Sequence, residues 1–193
     1  MPKRIKTDEF DQFHDYGVYS PARIIDLSGE IDEDNAVEFI KNIRLLDHAN
    51  DQDITVLINS EGGDVSQGMA IYDSVKECNS KVITHAVGPC YSMASIIFQA
   101  GDHRKISANA TVMIHTGKEG YPEDHPLNNE RWLAENKRLG KIADNILFEK
   151  IKKKKPRFQR KRFEELLVFD TIYTSEQAVE MGLADEIATH KEF

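Results

Sequence analysis

Three segments carry residue types that could do chemistry together: Ile58-Asn59-Ser60-Glu61-Gly62-Gly63-Asp64-Val65, then Gly88-Pro89-Cys90-Tyr91-Ser92-Met93-Ala94-Ser95, then Val112-Met113-Ile114-His115. The glycine pair can turn a backbone N–H toward a substrate. Ser92 offers a hydroxyl between a strand and a helix, and His115 ends a strand on an imidazole. A nucleophile, a base and an oxyanion donor are the parts that acyl transfer through serine needs. A serine at the start of a helix also places a developing oxyanion in the partial positive charge found there.

The elements that must position these groups follow from periodicity. Arg23–Leu27 reads as a strand closed by Ser28-Gly29, and Asp34–Leu46 spaces Val37, Ile40, Ile43 and Leu46 as a helix face. Ile54–Ile58 is nearly all apolar, as a strand covered on both faces should be. Val65, Met69, Tyr72 and Val75 mark the next helix, Lys81–Val87 the next strand, Ser92–Ala100 a short apolar helix stopped by Gly101, and Thr111–Ile114 a further strand. Strand–helix alternation predicts an α/β fold with a parallel sheet and right-handed crossovers. Sites in such sheets lie beyond the carboxyl ends of the strands, where Gly62, Gly63, Ser92 and His115 all fall. The second half differs. Asn128–Ile151 reads as one long helix with Trp132, Leu139, Ile142, Ile146 and Leu147 on a stripe, able to project and pack on a partner. Pro156 breaks it, and Arg160–Leu167 reads as a helix. Thr174 to Gln177 fits a capping box, its helix ends at Gly182, and Leu183–Ile187 is the final strand.

Composition narrows the function classes. At 193 residues one domain spanning 1–193 is expected, with residues 1–22 as an N-terminal segment. The net charge of -8 argues against nucleic acid, and the basic run Lys150–Arg162 holds only Phe158 as an aromatic, so it reads as a solvated helix end. Cys78 and Cys90 give no disulfide framework, and the start, Met1 to Phe10, lacks the apolar core of a signal peptide. No apolar run is long enough to span a bilayer. A cytoplasmic protein is expected, with no metal: His48, His85 and His103 have no ligand spacing.

From about Arg23 to Glu186 the chain resembles the ClpP family of proteolytic subunits. The resemblance rests on Ile58–Asp73, Gly88–Met93, Val112–His115 and Asp170–Asp185. It implies a crotonase-like α/β subunit whose handle helix projects from residues 117–165. It implies Ser92 as nucleophile, His115 as general base and Asp170 as the acid that orients the imidazole. Backbone N–H groups of Gly63 and Met93 would form the oxyanion hole. The stretch after His115, here Thr116 and Gly117, would pair with a bound peptide, and Val65 would line the pocket for the residue before the cleaved bond. Assembly would be a seven-membered ring, with two rings stacked as a further form. The subunit itself would need no cofactor; ATP would enter only through an AAA+ unfoldase partner. Singly, Ser92 reads as a helix N-cap, Gly62-Gly63 as a turn, His115 as an interior histidine, Asp170 as a solvated acid and Val65 as helix core. Their joint order is what makes them a triad.

Several positions depart from the family pattern. Glu61 replaces a proline, Tyr91 is bulky beside the serine, Ala94 replaces a glycine, and an acidic stretch with Glu119, Glu123 and Asp124 follows His115. Tyr91 is expected to narrow the site, and the acids to favour basic substrates. Phe169 stands where an arginine usually links stacked rings. Thr55, Leu57 and Glu77 occupy the aromatic docking pocket for the unfoldase, so weak docking is expected. Two other classes remain open: an acyl-CoA enzyme on the same fold, which needs no serine nucleophile, and an idle ring subunit, which would lack a triad member.

Overall fold

The computed structural model describes residues 16–117 and 125–188. The expectations for Met1–Phe10 and for the acids Glu119, Glu123 and Asp124 lie outside these residues. The strands are β1 (Val18–Tyr19), β2 (Ile24–Ile31), β3 (Ile54–Gly63), β4 (Val82–Tyr91), β5 (His103–Ile106), β6 (Thr111–Ile114), β7 (Thr171–Tyr173) and β8 (Glu186–Ile187). The helices are α1 (Glu33–Ala49), α2 (Val65–Lys76), α3 (Met93–Phe98), α4 (Pro126–Lys154), α5 (Arg160–Leu167) and α6 (Ser175–Met181).

One mixed sheet runs β1-β2-β3-β4-β5-β8. Strands β2 to β5 and β8 are parallel along this path, and β1 is antiparallel to β2. Strand β4 serves two neighbours in turn. Its first half pairs with β5 through Ile83 to Ala86, and its last part pairs with β6 through Pro89, Cys90 and Tyr91. Strand β7 then pairs antiparallel with β6.

Three strands outrun their expected ends. Strand β2 continues past Ser28-Gly29 to Ile31, and β3 and β4 continue through Gly63 and Tyr91. Their tails are polar, but parallel pairing carries on across irregularities between Ser28 and Glu30 and between Ile58 and Ser60. Helix α3 starts one residue later than expected and ends at Phe98, before Gly101. Strands β1, β5 and β7 were too short to show a period.

The helix faces also differ. Helix α1 buries Ala36, Phe39, Ile43 and Leu46, while Val37 is 43% exposed. Helix α2 buries Gly68, Ile71, Ser74 and Val75 rather than Val65, Met69 and Tyr72, which are half-buried. Each helix carries two apolar rows, and the sheet selects one. Asp32 and Asp64 cap α1 and α2 by accepting from the N–H groups of Asn35 and Gln67. The capping box at Thr174 and Gln177 is formed, and Gly182 ends α6 at a φ of 82°.

Helix α4 joins the core only through its second half, where Ala143, Leu147 and Ile151 are buried. Its first half leaves the body, with Leu127 60% and Trp132 51% exposed. Two arginines tie the layers together. The buried Arg23 guanidinium donates to the carbonyls of Leu46, Asn50, Gln52 and Asp53 and to Ser80 Oγ. Arg104 donates to Asp185, Gln99 Oε1 and the Gly182 carbonyl.

Candidate active site

Ser92 sits at the hinge between β4 and α3 with φ 51° and ψ -122°. Few residues with a Cβ adopt this region, and holding one there costs about 1–3 kcal/mol. The strain aims the side chain away from the helix. Ser92 occupies the N-cap position, yet its hydroxyl caps nothing. Its carbonyl instead accepts from both the N–H and the hydroxyl of Ser95. The N-cap reading of Ser92 is thus set aside by geometry, and Oγ is left for another partner.

That partner is His115. Ser92 Oγ lies 2.8 Å from His115 Nε2, and His115 Nδ1 lies 2.9 Å from Asp170 Oδ1. An ionised carboxylate only accepts, so Nδ1 carries the proton and Nε2 accepts from the Ser92 hydroxyl. The imidazole is largely covered, at 18% exposed, while the Asp170 side chain is 67% exposed.

Backbone pairing sets these distances. Cys90 pairs with Val112 and Tyr91 with Met113, and the Ser92 N–H donates to the Met113 carbonyl at 3.0 Å. Ser92 and His115 therefore leave adjacent parallel strands side by side. On the other side of β6, Ile114 pairs with Thr171, so the next antiparallel step sets Asp170 opposite His115. The short strand Thr171-Ile172-Tyr173 is one of the elements the sequence reading missed, and its β-branched and aromatic residues were the available signal.

The glycine pair closes the site from β3. Gly62 has φ 98°, and a Cβ there would meet Ser92 Cβ and the Tyr91 carbonyl oxygen at 2.8 Å and Met93 N at 3.0 Å. Gly63, at φ 152°, lies so close to β2 that a Cβ would meet the Ile31 carbonyl oxygen at 2.3 Å. Both glycines are required by close backbone approach, and Gly62 lies against the Ser92–Met93 peptide. The Met93 side chain is buried against Gly68 of α2.

A cavity of about 60 Å³ opens beside Ser92 and His115, walled by Val65, Met93, Ile96, Ile114 and Leu147, with Gly117 at its edge. Val65 and Gly117 thus reach it, whereas Thr116 does not: its N–H is donated to the Leu167 carbonyl. Tyr91, expected to narrow the site, does not line this cavity; its hydroxyl bonds Thr111 Oγ1 at 2.8 Å. His85 and His103 engage Ser107 and Glu186. Among the described residues, no group of three or more His, Cys, Asp or Glu is placed to hold a metal, and no helix is long and apolar enough to cross a membrane. Burial pushes the thiol of Cys90 up, and that of Cys78 up to about 11, so both are poor nucleophiles.

A hydroxyl, an imidazole and a carboxylate linked at the carboxyl ends of a parallel sheet form the arrangement of a serine hydrolase on an α/β fold. Sequence comparison makes that class specific. The chain matches the Clp protease family over residues 7–191. It is 34% identical over 185 residues to the ATP-dependent Clp protease proteolytic subunit of Ligilactobacillus salivarius (strain UCC118), which covers 91% of this chain and 89% of that relative. The chain belongs to the Clp protease family, and it is a serine-type peptidase of that ring-forming class.

Proposed function

We propose that this chain is a serine endopeptidase subunit in which Ser92 attacks the scissile carbonyl. His115 Nε2 takes the Oγ proton as the C–O bond forms, then delivers it to the leaving amine as the C–N bond breaks. Water repeats the sequence on the acyl-enzyme and frees Ser92. Asp170 holds the imidazole in the Nδ1–H tautomer and stabilises the imidazolium. The N–H groups of Gly63 and Met93 receive the oxyanion, each worth on the order of 10²–10³ in rate. Val65 and Gly117 contact the residue before the cleaved bond, and Thr116 the substrate backbone through its carbonyl.

The subunits assemble as a heptameric ring in the cytoplasm through the exposed half of α4. No cofactor is bound, and ATP is consumed only by an AAA+ unfoldase that feeds the ring. Glu77, at the exposed end of α2, must lose water under any apolar docking loop, so the unfoldase that fits carries a cation opposite it.

The hydrogen-bonded chain from Ser92 through His115 to Asp170 carries this reading. It speaks against an acyl-CoA enzyme, which has no use for an activated serine, and against an idle subunit. A fluorophosphonate should modify Ser92 alone, and Ser92→Ala should lower peptide turnover by on the order of 10⁴–10⁶. Peptidase activity of Ser92→Ala near wild type would remove the assignment.

A further inference from the structure

The cavity beside Ser92 is apolar on most sides, but one wall differs. Helix α4 presents Gly140, Ala143, Asp144 and Leu147 to it, the spacing of one helix face. Among the described residues no hydrogen bond or ion pair within 4 Å reaches the Asp144 carboxylate. The cation that acts on it, Arg160, is engaged elsewhere. Arg160 donates to Asn145 Oδ1, lies 4.5 Å over the Phe148 ring and stands 3.9 Å from Glu164. Burial pushes the Asp144 carboxyl above its ordinary value; Arg160 pulls the other way, and Glu164 adds to the rise. A half-desolvated carboxylate at an apolar cavity is an unmet demand for a cation or a donor.

Gly140 is a second sign. It lies inside a long helix, where glycine costs about 1 kcal/mol relative to alanine. A Cβ at Gly140 would meet nothing within 4 Å. The missing side chain leaves room on the cavity side, one turn from Asp144. A separate open depression, bordered by Gly62 and Gly63, is also acidic, with Glu30 and Glu61 in its lining.

Size indicates the occupant. One water needs roughly 10–15 Å³ of such space. A cavity of about 60 Å³ therefore holds a few groups of that size in a row. A lysine side chain presents four groups beyond Cβ, three methylenes and an ammonium, and such a stem packs on apolar walls while its head reaches a charge.

We propose that Asp144 is a specificity-determining residue that receives the ammonium or guanidinium of a basic side chain, lysine before arginine, on the residue preceding the cleaved bond. The proposal rests on the peptidase reading above. The stem lies along Val65, Ile96 and Leu147, and the charge meets Asp144 past Gly140. Removing the acid's charge leaves the apolar walls in place but strands the substrate cation.

The test is a panel of fluorogenic peptides identical except for lysine, arginine, norleucine, leucine or glutamate before the cleaved bond, assayed on the intact assembly. Norleucine keeps the carbon stem of lysine and lacks only the ammonium. The expected kcat/KM for lysine exceeds that for norleucine by roughly tenfold or more, and Asp144→Asn collapses that ratio toward one. Asp144→Leu should invert it. Norleucine or leucine preferred over lysine by the wild type overturns the proposal, as does a ratio unchanged in Asp144→Asn with the variant folded by thermal melt. Should neither variant fold, the wild-type panel decides alone. If leucine and norleucine peptides are cut and Ser92 is labelled, a failure lies with Asp144 and not with the peptidase reading. No cleavage of any peptide and no labelling overturn both.

Discussion

Replacing Gly62 by alanine tests whether the glycine pair is part of the site's frame. The new Cβ would lie 2.8 Å from both Ser92 Cβ and the Tyr91 carbonyl oxygen, and 3.0 Å from Met93 N. Carbon atoms rest no closer than about 3.5 Å, so the Ser92 segment must retreat by about 0.7 Å. Two of the three obstructing atoms are backbone, so a rotamer change cannot absorb the shift. The φ of 98° adds a penalty of about 1–2 kcal/mol for any residue with a Cβ. A 1 Å misplacement in an active site can cost about 10²-fold, so a shift of this size should lower kcat/KM about tenfold or more. Stability should fall by about 2–3 kcal/mol. The assay is kcat/KM on one fluorogenic peptide, with the rate of fluorophosphonate labelling and a thermal melt on the same sample. Labelling should slow along with turnover, because the displaced group is the serine itself. Gly63→Ala should differ: its contact is with Ile31 on β2, so it should lose more stability than Gly62→Ala. A Gly62→Ala protein with turnover and labelling within twofold of wild type would refute the close-approach argument.

Three further outcomes are expected. Asp170→Asn should leave the fold intact but lower kcat on the order of 10³–10⁴, because an amide favours the wrong imidazole tautomer; turnover within tenfold of wild type would show that the 2.9 Å contact does not govern the histidine. Arg23→Met should cost about 3 kcal/mol, since four carbonyls lose a charged donor, and a melting temperature unchanged in differential scanning calorimetry would contradict it. Burial, aided by Arg104, Lys76 and Lys153 and opposed by Asp185, holds Lys150 down at about 8. Below that pH both folded and unfolded chains carry the proton and the folded one bears the whole penalty; from pH 8 to the unfolded value near 10.4 only the unfolded chain keeps it, so this group's contribution to stability rises with pH. With half of Lys150 in water the effect is about 1 kcal/mol after allowing for screening. Lys150→Met should raise the melting temperature at pH 7 and remove that part of the rise between pH 8 and 10.4, which melts across that range would show.

The parts of this site that could be read from sequence are those that chemistry restricts to one residue type. Ser92, His115 and the glycine pair stand out because few other residues can replace them. Asp170 needed the family resemblance, since an acid before a three-residue strand has no local signature; only the Ile114–Thr171 pairing explains its place. The faces of α1 and α2 were misread because each carries two apolar rows. Phe39 and Val37 are equally apolar, and only packing on the sheet buries one and exposes the other. Gly68 was silent in a hydrophobic pattern although Met93 rests on it. Asp144 and Gly140 look like ordinary surface positions of a charged helix. Their meaning comes from the cavity they face.

The division of β4 between two neighbours bears on how such a chain changes over time. The spacing of Ser92 from His115 is written in backbone hydrogen bonds between Pro89–Tyr91 and Thr111–Met113, which are indifferent to the side chains mounted on them. On that backbone frame the serine and imidazole stand 2.8 Å apart. A lineage can therefore revise the walls around its nucleophile one residue at a time without passing through a dead intermediate. The same decoupling makes the cavity a practical place for directed evolution: libraries at Val65, Ile96 and Gly117, which line it, should sample new substrate preferences at little risk to the reaction.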